Sequence, residues 1–382
     1  MNALLSTTTL ASIGLVGLHH VGYPLALRWF TREEADLPSE PDSWPHIEVI
    51  IPLYNEAKFI QDKLWNLAML DYPADRLCIH LELDGCTDNT EVLARQTLAL
   101  SEFPSEQFEL HVHQENVGKV ALLNRAFERV TAPLVVVSDG SALVSIDALK
   151  RTASSFEDPA TGVLTGTYQL WGQQTAGETD YWRYQTDIKK RESRFGGLMG
   201  AHGAFFAIRK ACFAPLPEDA INDDFLIAMQ GQAQGYRGRY LEDINSLELE
   251  QAKSDQDARR RVRLAAGNVQ QAAFVAKRLH QFSTSVITLF LMGKGIRPLM
   301  PFLMIVALFG SLMLSPEHPL FALAAAGQVF GYSLATFGAL WPKHSPRLVK
   351  TLAYLVKGHI ASAHGALIYL VNPNKFSRWK RA

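Results

Sequence analysis

Cysteine is scarce in this sequence. Cys78, Cys86 and Cys212 are an odd number with no CxxC spacing among 382 residues. That argues against a disulfide framework and against a zinc site, and for a reducing compartment. Net charge is also nearly absent: 37 Lys and Arg against 38 Asp and Glu leave -1, so bulk electrostatics give no support for nucleic-acid binding. A GxxxxGK[ST] loop is missing, which removes a Walker-type nucleotide site. Charge is missing altogether from residues 1–27, 298–314 and 319–341. The charged stretch between, about 45–280, reads as a soluble domain held between membrane segments.

The run "LLSTTTLASIGLVGLHHVGYPLAL" exceeds the ~20 residues that cross a bilayer. It has neither a basic n-region nor an A-x-A-like site, so it reads as a retained anchor (1–30) rather than a signal peptide. Arg28 and Arg32 follow it and place that end in the cytoplasm. Residues 276–297 mix apolar positions with His280, Lys294 and Arg297, the pattern of an amphipathic interface helix. Residues 298–341 hold two apolar segments separated by "SPEHP", read as two transmembrane helices. In 347–382, Lys357 interrupts the apolar run and the tail carries four basic residues and no acid. A third span would send that tail outside, so an interfacial or re-entrant helix is expected.

Between the anchors, 45–275 alternates strand and helix. "HIEVIIPLYNE", "LCIHLELD", "FELHVHQ" and "PLVVVSD" are β-rich, and apolar residues at helical spacing follow the first three. Such alternation predicts an α/β domain with a mainly parallel sheet and a ligand at the strands' C-terminal edges. Asn55-Glu56, Asp84 with Asp88, and Asp139 all fall at those edges. One carboxylate after a strand is usually a turn or a cap; several in succession argue for a shared site. Gly118-Lys119 opens a helix and suits an anion, although a capping turn explains it equally. Asp223 and Asp224 precede an apolar helix and read either as caps or as a general base. Arg259, Arg260, Arg261 and Arg263 form either a solvated face or a site for diphosphate or anionic headgroups.

The ordered set "IIPLYNE", "LDGCTDNT", "NVGKVALLN", "VVVSDGS", "GAHGAFFAIRK" and "NDDF" resembles the membrane-bound family 2 glycosyltransferases with a GT-A (Rossmann-like) fold, in their polysaccharide-synthase-like, cellulose-synthase-like branch. The resemblance implies donor-nucleotide contacts at Pro52, Tyr54, Asn55, Glu56, Asp84 and Lys119, with Asp88 holding the turn. It implies a divalent metal, Mg2+ or Mn2+, on Asp139, and Asp224 as the base that deprotonates the acceptor. Ser141, His202, Gly203 and Asp223 then line the donor and acceptor pocket, and Arg260 and Arg263 face the diphosphate or acceptor.

Two departures from the family pattern stand out. The second DxD aspartate is Ser141, and the QxxRW segment falls on Arg260-Arg261-Val262-Arg263-Leu264, where only Arg263 matches and the Trp is missing. Magnesium tolerates a sparse carboxylate set because it keeps waters and leans on substrate phosphates. The missing Trp counts against processive synthesis. The expected activity is inverting transfer from a nucleotide-sugar, UDP-linked, to a lipid, lipid-linked or saccharide acceptor at the cytoplasmic membrane. Alternatives are a processive polysaccharide synthase and a catalytically silent scaffold in a polysaccharide-export complex. Expected partners are membrane lipids and polysaccharide-biosynthesis proteins, not nucleic acid.

Overall fold

The computed structural model describes residues 2–31, 40–172, 176–250 and 254–376. Arg32 and the basic chain end at 377–382 lie outside the described residues. The first apolar segment is helical: α1 (Asn2–Gly17) passes through a π turn into α2 (Tyr23–Phe30). Then β1 (Ile47–Leu53), α3 (Ile60–Ala68), β2 (Leu77–Asp84), α4 (Thr90–Leu98), β3 (Phe108–His113), α5 (Lys119–Arg129) and β4 (Leu134–Val137) alternate as expected. Next come β5 (Ala142–Val144), α6 (Ala148–Phe156), β6 (Thr161–Leu170), α7 (Ala176–Phe195), β7 (Phe206–Arg209), α8 (Asp223–Ala233) and β8 (Arg237–Glu248). The chain closes through α9 (Ser254–Ala276), α10 (Thr284–Phe290), α11 (Met300–Leu314), α12 (Pro319–Leu340) and α13 (Arg347–Val371).

Among the described residues, eight strands form one sheet in the order β3-β2-β1-β4-β7-β6-β8-β5. The half built from the first four strands is parallel, as the βα alternation requires. The other half is mixed: β4–β7, β6–β7 and β5–β8 are antiparallel and only β6–β8 is parallel. The sheet is therefore less parallel than the sequence pattern suggests. Helical crossovers enforce parallel neighbours only in the first half, and β7 runs back along β4, which returns the 200–205 loop to the strand ends.

Alternation along the central strands builds two cores. Ile50, Val135, Val137, Phe206 and Ile208 point to one face with Leu123, Phe127 and Phe225. Val49, Ile51, Leu134, Val136 and Ala207 point to the other, with Ile60 and Leu64. Pro52 sits in β1 beyond the stretch paired to β4, where its missing N–H breaks no bond of that ladder.

Among the described residues, two helices are long and apolar enough to cross a membrane, Ala3–Phe30 and Pro319–Leu340. The expected span at 298–314 is different. α11 has 15 residues, about 22 Å, which is short of a ~30 Å hydrocarbon core. It joins the 284–295 segment at a 62° bend, so the pair is either a broken span or a re-entrant loop. α13 is not among the helices long and apolar enough to cross. It packs along α9 and α12, with Gly365 against the backbone of Val262. At the other end, the hydroxyl of Tyr23 donates to Glu192 of α7 at 2.6 Å, fixing the end of the N-terminal helix to the sheet domain.

Candidate active site

The loops after β1 and β2 are tied to each other before they meet any ligand. Asn55 takes a left-handed conformation, φ 55°, which asparagine tolerates better than most residues. That places its side-chain oxygen to accept from the backbone N–H of Thr87 at 2.8 Å. Asp88 accepts from Ala57 N at 3.1 Å and Thr90 N at 3.0 Å, so it holds the turn. Asp84 is buried, and its two oxygens accept from Val117 N at 2.7 Å and Gly118 N at 2.9 Å. Its carboxylate therefore fixes the loop that starts α5. Gly118, at φ 88°, makes the turn that lets the helix begin on Lys119.

Lys119 reaches across the strand ends and joins two of the expected site residues. Its Nζ lies 2.8 Å from Asp139 Oδ1 and 3.4 Å from Asp223 Oδ2. Burial alone would push the Asp139 carboxyl up, but the charges of Lys119, Lys63 and Arg260 hold it below the usual carboxylate range. Burial works against the charge of Lys119 as well, yet Asp139 and Asp223 outweigh it and push its pKa upward. Gly203 is the floor of this arrangement: a Cβ there would stand 2.8 Å from Asp139 Oδ2 and 3.3 Å from Lys119 Nζ. Beneath the turn, the buried Lys63 donates to Ser138 Oγ at 2.7 Å and to the Ala142 carbonyl at 2.6 Å. Its burial lowers the Lys63 pKa to about 7.

Asp224 begins α8 beside Asp223, and Asn222 precedes the helix. Burial, followed by repulsion from Asp223, pushes the Asp224 pKa up, opposed by Lys294, Lys119 and Lys189. Lys189 donates to the Gly200 carbonyl at 2.6 Å. Lys294 arrives from the 284–295 segment: its Nζ lies 4.8 Å from the Phe225 ring centre, and a Cβ on Gly200 would stand 2.9 Å from that nitrogen. His202 stacks on Tyr168 with centroids 5.4 Å apart. Burial, with the nearby charges of Lys189, Lys294 and Arg260, drives its pKa well below the ordinary value, so its ring is neutral.

The partner missing after Asp139 is supplied from elsewhere in the sheet. β8 runs antiparallel to β5, which sets Glu248 opposite Ala142, and Leu249 N donates to the Ser141 carbonyl at 2.9 Å. The Ser141 side chain bonds the Glu248 carboxylate, and Asp139 is close enough that its charge, after burial, raises the Glu248 pKa. Arg260 faces Tyr168, Glu248 and Asp139. Arg263 donates to the Ile221 carbonyl at 3.0 Å and so braces the loop that carries Asp223 and Asp224.

Asp139, Lys119, Gly203, Asp223, Asp224, Ser141, His202, Arg260 and Arg263 thus converge on one region. Asn55, Asp84 and Asp88 shape its rim, and Glu56 reaches the turn, since a Cβ on Gly140 would stand 3.1 Å from its Cγ. Tyr54 follows β1 on the same rim. Lys63, Lys189, Glu248 and Lys294 also line this region, and no motif in the sequence marks them. Only Lys294 carried a signal, as a cation inside an apolar stretch; the others needed strand pairing or helix docking to be seen. The donor set suits a hard divalent cation: Asp139 and Glu248 supply carboxylate oxygens, Ser141 a hydroxyl, and the glycine at 203 leaves open space on the Asp139 oxygen.

A GT-A-type mixed sheet, with acids and cations gathered at its strand ends, is the fold class that this architecture defines. The mannosyltransferase PcManGT from Pyrobaculum calidifontis, solved with GDP-Man and Mn2+, superposes with a TM-score of 0.72 over 93% of this chain and 98% of its own, at 23% identity. Residues 48–215 match the family model "Glycosyl transferase family 2". Over those residues the chain resembles a family 2 glycosyltransferase domain. An N-acetylglucosaminyltransferase of Rhizobium meliloti (strain 1021) is 27% identical over 266 residues, 63% of this chain and 61% of that protein. One from Mesorhizobium japonicum is 24% identical over 323 residues, 79% and 74% respectively. The alignment thus covers less than two thirds of the length of the Rhizobium meliloti relative.

Proposed function

We propose that this protein moves one sugar from a UDP-sugar to a lipid or lipid-linked acceptor at the cytoplasmic face of a membrane, with inversion. One observation carries the reading: Lys294, from the segment that bends into the apolar α11, stands with Asp224 in a site whose other wall is Asp139 and Lys119. That arrangement brings an acceptor held at the membrane to the base, opposite the positive charges that receive the leaving diphosphate. The names of the curated relatives support an N-acetylhexosamine as the first sugar to try.

In the mechanism, Asp224 takes the proton from the acceptor hydroxyl as that oxygen attacks the anomeric carbon. Burial raises its proton affinity and makes it a stronger base than an exposed aspartate. Lys294, Lys119 and Lys189 oppose that rise. Asp139, with Glu248 and Ser141, would hold a divalent cation, which would supply positive charge for the diphosphate. Lys119 orients Asp139 and Asp223 relative to each other, and Arg260 lies where it adds charge for the departing phosphate. His202, neutral and stacked, shapes the pocket rather than moving a proton.

Single transfer is favoured over processive synthesis because the segment that would carry the acceptor-stacking Trp has Leu264, and α13 packs over α9 there. The test is transfer by the purified protein in detergent, from a panel of UDP-sugars to lipid acceptors, with and without Mg2+ or Mn2+. Cation-dependent turnover with short products, lost in Asp224→Asn, is the expected result. A ladder of long products overturns single transfer; no turnover under any condition overturns the catalytic reading in favour of a scaffold.

A further inference from the structure

A second group of ligating side chains lies away from the strand ends. On the face of β2 and β3 opposite the Ile79, Leu81 and Leu110 core, His80 Nδ1, His111 Nε2 and Glu109 Oε2 form a triangle. Its edges are 3.2 Å for the two histidines, 3.3 Å for His80–Glu109 and 3.4 Å for His111–Glu109. Cys78 stands on the far side of His80 and Glu109 from His111: its sulfur bonds His80, its ligand atom lies within 4.8 Å of those of His80 and Glu109, and a side-chain shift brings it and His111 to one ion. Ligands bonded at ~2.0–2.1 Å to a tetrahedral ion stand about 3.3–3.4 Å apart, the spacing seen here.

The surroundings are those of an ion site rather than of a chance charge cluster. His80 is buried, and its other nitrogen, Nε2, lies 2.7 Å from Glu48 Oε2. With that N–H given to Glu48, Nδ1 presents its lone pair to the centre. Glu48 is itself held, accepting from Thr131 N and Ala132 N, each at 2.7 Å. The next acid along the face, Glu82, is taken by His113 and Arg129, so the four ligands form a separate unit. His80 is four residues from Asp84, or about 13 Å along the strand, which keeps this unit apart from the transfer site.

We propose that Cys78, His80, Glu109 and His111 bind one zinc-class divalent ion, which clips the edge strand β3 to β2. Thiolate and imidazole donors select zinc over magnesium or calcium. Cysteine spacing gave no hint of this because each strand contributes a ligand pair, Cys78-x-His80 and Glu109-x-His111, and only β2–β3 pairing joins them.

Cobalt tests the site without relying on turnover. The full-length protein in detergent is stripped with a chelator, titrated with Co2+ and followed by visible and near-ultraviolet absorption, then back-titrated with Zn2+. One equivalent should give tetrahedral d–d bands and a thiolate-to-cobalt charge-transfer band, both erased by Zn2+. Cys78→Ser should lose the charge-transfer band, and His111→Gln should weaken binding by about 100-fold. Both positions lie partly exposed on edge-proximal strands, and circular dichroism confirms that the variants are folded. Asp139→Ala should leave the spectrum unchanged, which separates this site from the oxygen-lined one. Absence of tetrahedral bands at one equivalent, or bands that persist in both Cys78→Ser and His111→Gln, overturns the proposal.

Discussion

Replacing Lys119 with methionine keeps the length of the side chain and removes the charge that joins Asp139 to Asp223. Both contacts are short, 2.8 and 3.4 Å, and the lysine is only 15% exposed, whereas Asp139 is 34% exposed. Charge-assisted bonds contribute ~1.5–3 kcal/mol, and solvent at Asp139 pulls the value toward the lower part of that range. A loss of about 2 kcal/mol in the ligand-free protein corresponds to a melting temperature lower by about 4–8 °C for a domain of this size. Part of the loss is repulsion between two carboxylates left without their cation, so it depends on Asp139 being charged. The assay is a double-mutant cycle on melting temperature with Lys119→Met, Asp139→Asn and the pair. Asp139→Asn should recover part of the loss in the Lys119→Met background, giving a coupling above ~0.5 kcal/mol. Strictly additive effects would refute the bridge. Transfer by Lys119→Met should fall by about 10²-fold, the scale of one preorganised charge contact.

The remaining expectations concern the same site. Asp224→Asn should lower turnover by about 10²–10⁴-fold with little change in melting temperature. In the unaltered enzyme, Asp224 works only when ionised and its pKa is raised. The acid limb of the pH profile should therefore lie above the ordinary carboxylate value of about 4, with rate lost as pH falls through it; a limb at the ordinary value assigns the base elsewhere. Asp139→Ala should abolish cation-dependent transfer and Ser141→Ala only weaken it, whereas Glu248→Gln should raise the Mn2+ concentration needed for half-maximal rate. Gly203→Ala forces a methyl to 2.8 Å from Asp139 Oδ2; nucleotide affinity measured by calorimetry should drop while the fold, read by circular dichroism, persists.

Much of the first half of the domain was legible in the chain itself. Apolar runs at 47–53, 77–84 and 134–137 each close on polar residues, and a strand followed by a helix can only be repeated in parallel. That is why Asn55, Asp84 and Asp139 could be placed at one edge without coordinates. Asp223 and Asp224 were equally legible as a pair, because a helix start that displays two carboxylates is a local feature.

Tertiary structure decided which of these groups face one another. Asp84 looks like a nucleotide ligand in the chain; folding adds a second task, since its two oxygens accept from the Val117 and Gly118 amides. Ser141 looks like a lost acid until β8 brings Glu248 beside it from more than a hundred residues away. Lys294 belongs by composition to the interface segment 276–297, yet its nitrogen stands 4.8 Å from the ring of Phe225, the residue after Asp224. Sequence periodicity is short-ranged, so it determines which residues lie on a strand end or a helix face. Pairing across the sheet and docking of distant helices set the distances between charges, and those distances fix pKa values and ligand sets.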